Sequence, residues 1–195
     1  MRFRVLTAIV LLGALSGCVS QYYDIDTLGA PIREIHKMPV EKARTFFSNK
    51  TIMTYDGEHR VCYGGMFIGQ YYIPDCRTVP GHGTQVEYYA PNGLAFLWYP
   101  GNHRPVPSRW KLEHKKNIYG TYLYAICFLY PSRSYNPLTH ESGGDWECDE
   151  LGHWTSKVTE VRDDDIFGLS TFKLPYTLSK QPTTFEALLR GIPDQ

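Results

Sequence analysis

Hydrophobic and polar residues alternate in short runs along most of the chain after residue 50, and turn signals separate the runs. The runs are rich in Tyr, Phe, Trp, Val, Ile and Thr, which favour strands, and the intervening Asp-Gly, Asn-Gly and Pro-Gly pairs favour tight turns. This pattern predicts strands at residues 51–55, 61–63, 66–73, 94–99, 154–161 and 167–174.

Two further runs, 85–89 and 110–114, alternate so regularly that each can bury one face. In the first, Val86 and Tyr88 alternate with Gln85, Glu87 and Tyr89. Successive side chains of a strand point to opposite faces, so this pattern indicates antiparallel strands with one face in solvent. We therefore expect a mainly β fold, an antiparallel meander that forms a barrel or a sandwich, with a short N-terminal helix.

The segment 121–130 is apolar or aromatic on both faces, which predicts a central strand covered on both sides. A helix at 39–48 is the candidate cover for one of these sides. Its apolar residues recur at spacings of three and four, and a proline stands at its start. A second short helix is predicted from Thr184 to Leu189, with Gly191 ending it.

The first twenty residues follow a different pattern. Arg2 and Arg4 precede an uninterrupted apolar run at 5–15, which is typical of a secretory signal peptide. A membrane-spanning helix needs about 20 apolar residues, so the run is too short for a permanent span.

The apolar run ends in Leu15-Ser16-Gly17-Cys18, and all four positions resemble the lipobox of bacterial lipoprotein precursors. The resemblance implies diacylglycerol on the Cys18 thiol, cleavage before Cys18 and acylation of the new amino group. Because Val19 rather than Asp follows the cysteine, it also implies an outer-membrane anchor facing the periplasm. The alternative is an ordinary secretory signal in which Cys18 is incidental.

Cleavage before Cys18 divides the chain into a signal peptide (1–17), a lipidated tether (18–38) and one β-rich domain (39–195). The mature chain would keep 178 residues, enough for a single domain with a sizeable core. It would carry 18 basic and 20 acidic residues, since Arg2 and Arg4 are lost. This balance gives no basic patch for nucleic acid, which we do not expect as a partner.

Four cysteines remain once Cys18 is lipidated, namely Cys62, Cys76, Cys127 and Cys148. Disulfides persist in an oxidising envelope, so we expect two bridges. Three pairings are possible, and the spacing favours Cys62 with Cys76 and Cys127 with Cys148. No C-x-x-C spacing is present, so we expect neither a metal site nor a haem or other cofactor.

The short motifs that suggest chemistry are all incomplete. His140 and Glu141 begin like a zinc-protease helix, but Ser142 and two glycines follow, so the second histidine is missing. Gly81-His82-Gly83 is interpreted as a solvated turn, and the acidic run 163–165 as a solvated loop rather than a calcium site. We therefore assign no catalytic residue.

A candidate binding surface follows from the aromatic content and from carboxylates placed beside an aromatic ring. Its residues are Tyr88, Tyr89, Trp98, Tyr99, Asp145, Trp146 and Glu147. Aromatic side chains also fill the cores of β-rich domains, so a purely structural role stays open. The order of Cys127, Phe128, Trp146, Glu147 and Cys148 resembles uncharacterised β-rich envelope proteins of alphaproteobacteria over the second half of the chain, and it implies no activity.

These features favour a non-catalytic outer-membrane lipoprotein that binds or supports another envelope component, either a protein or a glycan. Small β-barrel lipoproteins that inhibit lysozyme are similar in anchor, disulfides and strand content, and they form one alternative. Another is a periplasmic hydrolase or glycan-modifying enzyme with a site near His140 and Asp145. That alternative requires the catalytic side chains to converge within hydrogen-bonding reach.

Replacement of Cys18 by Ala should release the protein from membranes or leave an uncut precursor, because the acyl chains have no other attachment point. Membrane fractionation followed by intact-mass measurement checks this. A Ser20→Ala variant, altered beyond the lipobox, should stay in the membrane. Cleaved C18A protein that remained in the membrane would contradict lipidation.

Overall fold

The computed structural model describes residues 39–116 and 122–192; the predicted signal peptide, Cys18 and the tether lie outside these ranges. The helices within them are α1 (Val40–Phe47), α2 (Leu151–Thr155) and α3 (Phe185–Arg190), with a 3-10 helix at Leu169–Thr171. The strands are β1 (Lys50–Asp56), β2 (His59–Ile68), β3 (Tyr71–Val79), β4 (Gly83–Tyr89), β5 (Leu94–Trp98), β6 (Val106–Lys116), β7 (Tyr122–Leu129), β8 (Trp146–Glu150) and β9 (Val158–Asp163).

Within the described part of the chain, seven strands form one antiparallel sheet in the order β8-β7-β6-β5-β4-β1-β9. The sheet curls into a half-barrel, which confirms the mainly β, antiparallel prediction. Strands β4 to β8 follow one another as a meander. Strand β1 pairs with the free side of β4 and with β9. Strands β2 and β3 do not belong to this sheet and form a separate two-stranded hairpin. The curled sheet therefore has one concave and one convex face, and both must be covered.

Helices α1 and α2 cover one end of the concave face. Phe47 of α1 is fully buried, and its ring meets Trp154 of α2 edge to face, with centroids 5.8 Å apart. Tyr89, at the end of β4, contacts the same Trp154 ring at 6.0 Å. This aromatic cluster joins the two helices to the sheet and fills that end of the half-barrel.

The segment 166–192 covers the convex face. Trp98 is fully buried there, and its indole meets Phe167 at 5.4 Å and Tyr176 at 5.2 Å between ring centroids. Helix α3 begins at the predicted position, because the hydroxyl of Thr184 accepts a hydrogen bond from the Ala187 amide at 3.1 Å. The helix buries Phe185 in this second core.

The β2–β3 hairpin stands apart from both cores. Its tip exposes large apolar side chains, with Phe67 73 % and Tyr71 69 % exposed. The predicted single strand at 66–73 is wrong, since the chain reverses between Ile68 and Tyr71. Gly69 permits this turn because it adopts φ +63°.

Two other strand predictions differ from the structure, and a third is confirmed. Residues 154–161 divide between α2 and β9, because Trp154 packs as a helical residue in the concave core. Residues 167–174 contain the 3-10 helix, since the carboxylate of Asp165 accepts the amides of Leu169 and Ser170 at 2.8 Å each. The segment 121–130, predicted as a central strand covered on both sides, contains β7, which pairs with β6 and β8 and buries residues 124–128 on both faces.

The structure contains the bridges Cys62–Cys76 and Cys127–Cys148, the pairing that the spacing favoured. The first links β2 to β3, and the second links β7 to β8. Among the described residues, no helix is long and apolar enough to cross a bilayer.

Replacing Cys127 and Cys148 together by Ala should lower the free energy of unfolding by about 3 kcal/mol, because the bridge constrains the unfolded chain and holds the edge strand β8. The same double replacement of Cys62 and Cys76 should have much less effect. No described side chain of β2 or β3 belongs to either core, so the hairpin can loosen without unfolding the sheet. Urea unfolding followed by tryptophan fluorescence measures both, and equal losses would contradict the separation of the hairpin.

Candidate functional site

The end of the concave face that α1 and α2 leave uncovered is a cavity of about 1210 Å³. Its floor is formed by β1, β4, β5 and β7, and the loop between β7 and β8 forms one wall. The main lining residues of the floor are Ile52, Thr54, Gln85, Glu87, Tyr89, Leu97 and Phe128. Those of the rim are Asp56, His82, Tyr99, Tyr130, Tyr135, Asn136, Glu141, Asp145, Trp146, Glu147, Asp149 and Lys157. A space of this size accommodates a small molecule or a short peptide segment.

Glu87 lies at the centre of the floor, on β4, and only 7 % of it is exposed. Its Oε2 accepts a hydrogen bond from the Tyr89 hydroxyl at 2.6 Å. Its Oε1 is buried and has no hydrogen-bond partner among the described residues. Burial raises the pKa of Glu87 to about 7, although the bond from Tyr89 opposes this rise. Glu87 therefore lines the cavity with a carboxyl group that has one buried oxygen without a hydrogen-bond partner.

Tyr130 stands near two carboxylates of the cavity. Burial raises the pKa of its phenol well above the ordinary value, and the charges of Glu87 and Glu147 add to the rise. The pKa of Glu147 is itself raised, first by burial and then by the charge of Glu141. Glu147 lies opposite Phe128 in the β7–β8 pairing, so it belongs to the same face as the floor. The carboxylates consequently reinforce one another's negative potential.

His82 is held at the rim between two glycines. A Cβ added to Gly81 would lie 2.1 Å from the Asp56 carbonyl oxygen, and Gly83 adopts φ +78° against Lys180. The interpretation of this loop as a solvated turn is therefore wrong. The His82 Nδ1 lies 3.0 Å from the Tyr99 hydroxyl, and burial lowers the pKa of the imidazole. His82 is thus favoured as a neutral hydrogen-bonding group.

The positively charged group of the lining is the ammonium of Lys157, and it is already paired. Its Nζ lies 3.7 Å from Asp149 and 3.9 Å from Asp56. Asp149 also contacts the Nδ1 of His153 at 2.9 Å. Within the described residues, Glu87, Glu141, Asp145 and Glu147 have no ion-pair partner.

The structure brings five of the seven residues of the predicted binding surface to the cavity, namely Tyr89, Tyr99, Asp145, Trp146 and Glu147. Tyr88 and Trp98 instead lie in the convex core, where they are 8 % and 0 % exposed. Trp146 stands at the edge, with the Lys111 ammonium 4.4 Å from its ring centroid. Five residues of the predicted surface therefore line a cavity, and the other two are core residues.

The remaining motifs have structural roles. The Nδ1 of His140 contacts the Tyr135 hydroxyl at 2.8 Å, and His140 does not line the cavity. Asp164 bonds the side-chain amide of Asn49 at 2.6 Å, while Asp165 caps the 3-10 helix. Glu113 lies within 3.6 Å of both sulfurs of the Cys127–Cys148 bridge. Because those sulfurs are bonded to each other, they are not thiolate metal ligands.

Sequence reasoning missed the most distinctive residue of the cavity, Glu87. The alternation placed it with Gln85 and Tyr89 on a face in contact with solvent, but this face is buried and Tyr89 is fully inaccessible. A signal was present in the i, i+2 spacing of Glu87 and Tyr89, which puts a carboxyl and a phenol on one face of a strand. Only the cover provided by α1 and α2 makes that pair a buried site.

The chain matches no protein-family model, no curated protein and no solved structure.

A Glu87→Gln variant should lack the loss of stability that Glu87 causes in the wild type as the pH rises. Because the pKa is about 7 in the folded protein against an ordinary 4.5, the folded state holds a proton that the unfolded state loses between these values. The wild type should therefore lose about 3 kcal/mol relative to E87Q between pH 4.5 and pH 8. Other groups titrate alike in both proteins, so their difference isolates Glu87.

Urea unfolding at the two pH values measures this difference. Glu186→Gln, which removes an exposed carboxylate on α3, is the matched control and should show no such pH dependence relative to wild type. A constant difference between wild type and E87Q would show that Glu87 titrates in the folded protein as it does in the unfolded chain.

Proposed function

We propose that the protein is a non-catalytic, lipid-anchored envelope protein that binds another envelope component in the half-barrel cavity. The observation that carries this proposal is the Glu87 carboxyl, which is buried at the floor of a large cavity with one oxygen unpartnered. A buried polar atom without a partner costs about 1–3 kcal/mol. A ligand that supplies a hydrogen bond to Oε1 would remove this cost, whereas a purely structural cavity would gain nothing from the arrangement.

The anchor and the location in this proposal come from the N-terminal sequence. The lipobox resemblance at Cys18 supports a lipid anchor, and two disulfides fit an oxidising compartment outside the cytoplasm. A cavity on a domain tethered by residues 18–38 would then face the periplasm within the reach of the tether. That location favours a ligand drawn from the envelope, either a protein segment or part of a glycan.

Binding is favoured over hydrolysis by the surroundings of the two histidines considered for catalysis. His140 bonds Tyr135 outside the cavity lining, so it does not meet Asp145 there. His82 does line the cavity, but its Nδ1 contacts the hydroxyl of Tyr99. A general base is normally oriented by a carboxylate or carbonyl that is hydrogen-bonded behind it, whereas the Nδ1 of His82 contacts a neutral hydroxyl, although the charge of Asp56 also acts on the ring.

The full chain, purified from its own envelopes in a non-ionic detergent, should carry a bound component visible by native mass spectrometry. Gln85→Trp should abolish this added mass, because the indole would occupy the floor beside Glu87. The matched control is Leu189→Trp, which adds the same group on the exposed side of α3 and should retain the ligand. Equal occupancy in the two variants would contradict binding in the cavity.

A further inference from the structure

The charges of the cavity are strongly unequal. Six carboxylates line it, namely those of Asp56, Glu87, Glu141, Asp145, Glu147 and Asp149. Against them stand Lys157, which is shared by Asp56 and Asp149, and His82, whose pKa is lowered by burial. Charges that lie around a partly buried cleft reinforce one another, so the cavity attracts cations and repels anions.

Glu87 makes this preference specific at one point. Above its pKa of about 7 the carboxyl group is ionised and its oxygens only accept hydrogen bonds, so the partner that Oε1 lacks must then be a donor. A neutral hydroxyl could donate, but a cationic donor also gains from the charges of Glu87 and Glu147, which both line the cavity and both raise the pKa of Tyr130. A cationic donor forms an ion pair with the carboxylate in addition to the hydrogen bond, whereas a neutral hydroxyl forms the hydrogen bond alone. The geometry therefore favours a charged donor over a hydroxyl.

Aromatic rings provide the other half of the site. Phe128 and Tyr130 lie nearly parallel, with centroids 5.9 Å apart, and Tyr89 meets Phe128 at 6.1 Å. These rings line the cavity beside the carboxylates. Aromatic faces attract cations through their quadrupole, and they also cover apolar groups. A ligand with an apolar body and a cationic end matches both features.

We propose that the cavity binds an organic cation, with its ammonium or guanidinium group hydrogen-bonded to Glu87 and its apolar body against Phe128 and Tyr130. This inference deepens the proposed function and rests on it. The same chemistry is found in a free amine and in a lysine or arginine side chain of an envelope protein, so the two sources differ only in what surrounds the cation.

Isothermal titration calorimetry at pH 8 on the detergent-solubilised full chain tests the proposal with three probes of similar shape. These are phenethylamine, 2-phenylethanol and 3-phenylpropionate, which are cationic, neutral and anionic at this pH. Phenethylamine should bind about tenfold more tightly than 2-phenylethanol, since at pH 8 both can donate to the Glu87 carboxylate but only the cation also forms an ion pair with it. The anion should show no binding.

Variants locate the binding at Glu87. Glu87→Gln, which preserves the shape of the side chain, should weaken phenethylamine binding about tenfold and leave 2-phenylethanol within about twofold. Glu147→Gln, at the partly buried rim, should weaken the cation by a smaller factor and gives a second test if E87Q does not fold. Glu186→Gln, on the convex side, is the control and should change neither affinity. The probes partition into the detergent micelles to the same extent with every variant, so the comparison between variants cancels this contribution.

A second pair of probes distinguishes the sources. Acetyl-Gly-Lys-Gly-amide binding more tightly than phenethylamine would support a protein side chain, and the reverse order would support a free amine. If 2-phenylethanol bound as tightly as phenethylamine, or if E87Q left the cation unaffected, the cation inference would be overturned. The proposed function would still stand in that case if Gln85→Trp lost the natural component and Leu189→Trp kept it. If Gln85→Trp also kept the component, the proposed function would fail together with the cation inference.

Discussion

The rest of the structure depends on one constraint, which is that the curled sheet is apolar on both faces and both faces must be removed from water. Burial of an aromatic side chain such as Trp98 or Phe47 contributes roughly 2–3 kcal/mol, so neither face can remain open. The convex face is covered by one continuous segment, residues 166–192. The concave face has only two short helices to cover it, and they fill one end. The cavity is the part of the concave face that these helices do not reach.

This incomplete cover explains why polar residues can occupy the floor of the half-barrel. Along β4, the side chains of one face run from Gln85 through Glu87 to Tyr89, from the cavity towards the helical core. The position of Tyr89 must therefore hold a largely apolar side chain, whereas the position of Gln85 tolerates a polar one. Glu87 lies at the transition, where it is buried enough for its pKa to rise and open enough to face the cavity. The same strand thus serves packing at one end and recognition at the other.

Much of this fold could be predicted from local patterns, because strands and helix ends are fixed by nearby residues. The alternation in 85–89, the helix at α1 and the Thr184 start of α3 are all encoded within a few positions. The order of strands could not be predicted, since the insertion of the β2–β3 hairpin between two neighbouring strands depends on long-range pairing. Trp154 illustrates the limit, because its strand-like neighbourhood becomes a helix only through contacts with Phe47 and Tyr89.

The candidate site was half predictable for the same reason. Asp145, Trp146 and Glu147 were identifiable as carboxylates beside a ring, because that pattern is local. The alternation placed Tyr88 and Tyr89 on opposite faces, but it did not show which of these faces carries the cavity, because the sequence did not show what covers each. Which aromatic ring contacts a ligand and which fills the core is therefore decided by the position of the covering segments.

The bond between Tyr89 and Glu87 links the core to the site physically. Tyr89 is packed against Trp110 and Trp154, with centroids at 5.3 and 6.0 Å, so its ring cannot turn away without disturbing the aromatic cluster. Its hydroxyl holds Oε2 of Glu87, and this fixes the carboxyl group at the cavity lining while Oε1 stays without a partner. The acceptor is therefore oriented before any ligand arrives, and less conformational entropy is lost on binding than for a mobile surface carboxylate. The helices that seal one end of the half-barrel thus also determine the geometry of recognition at the other.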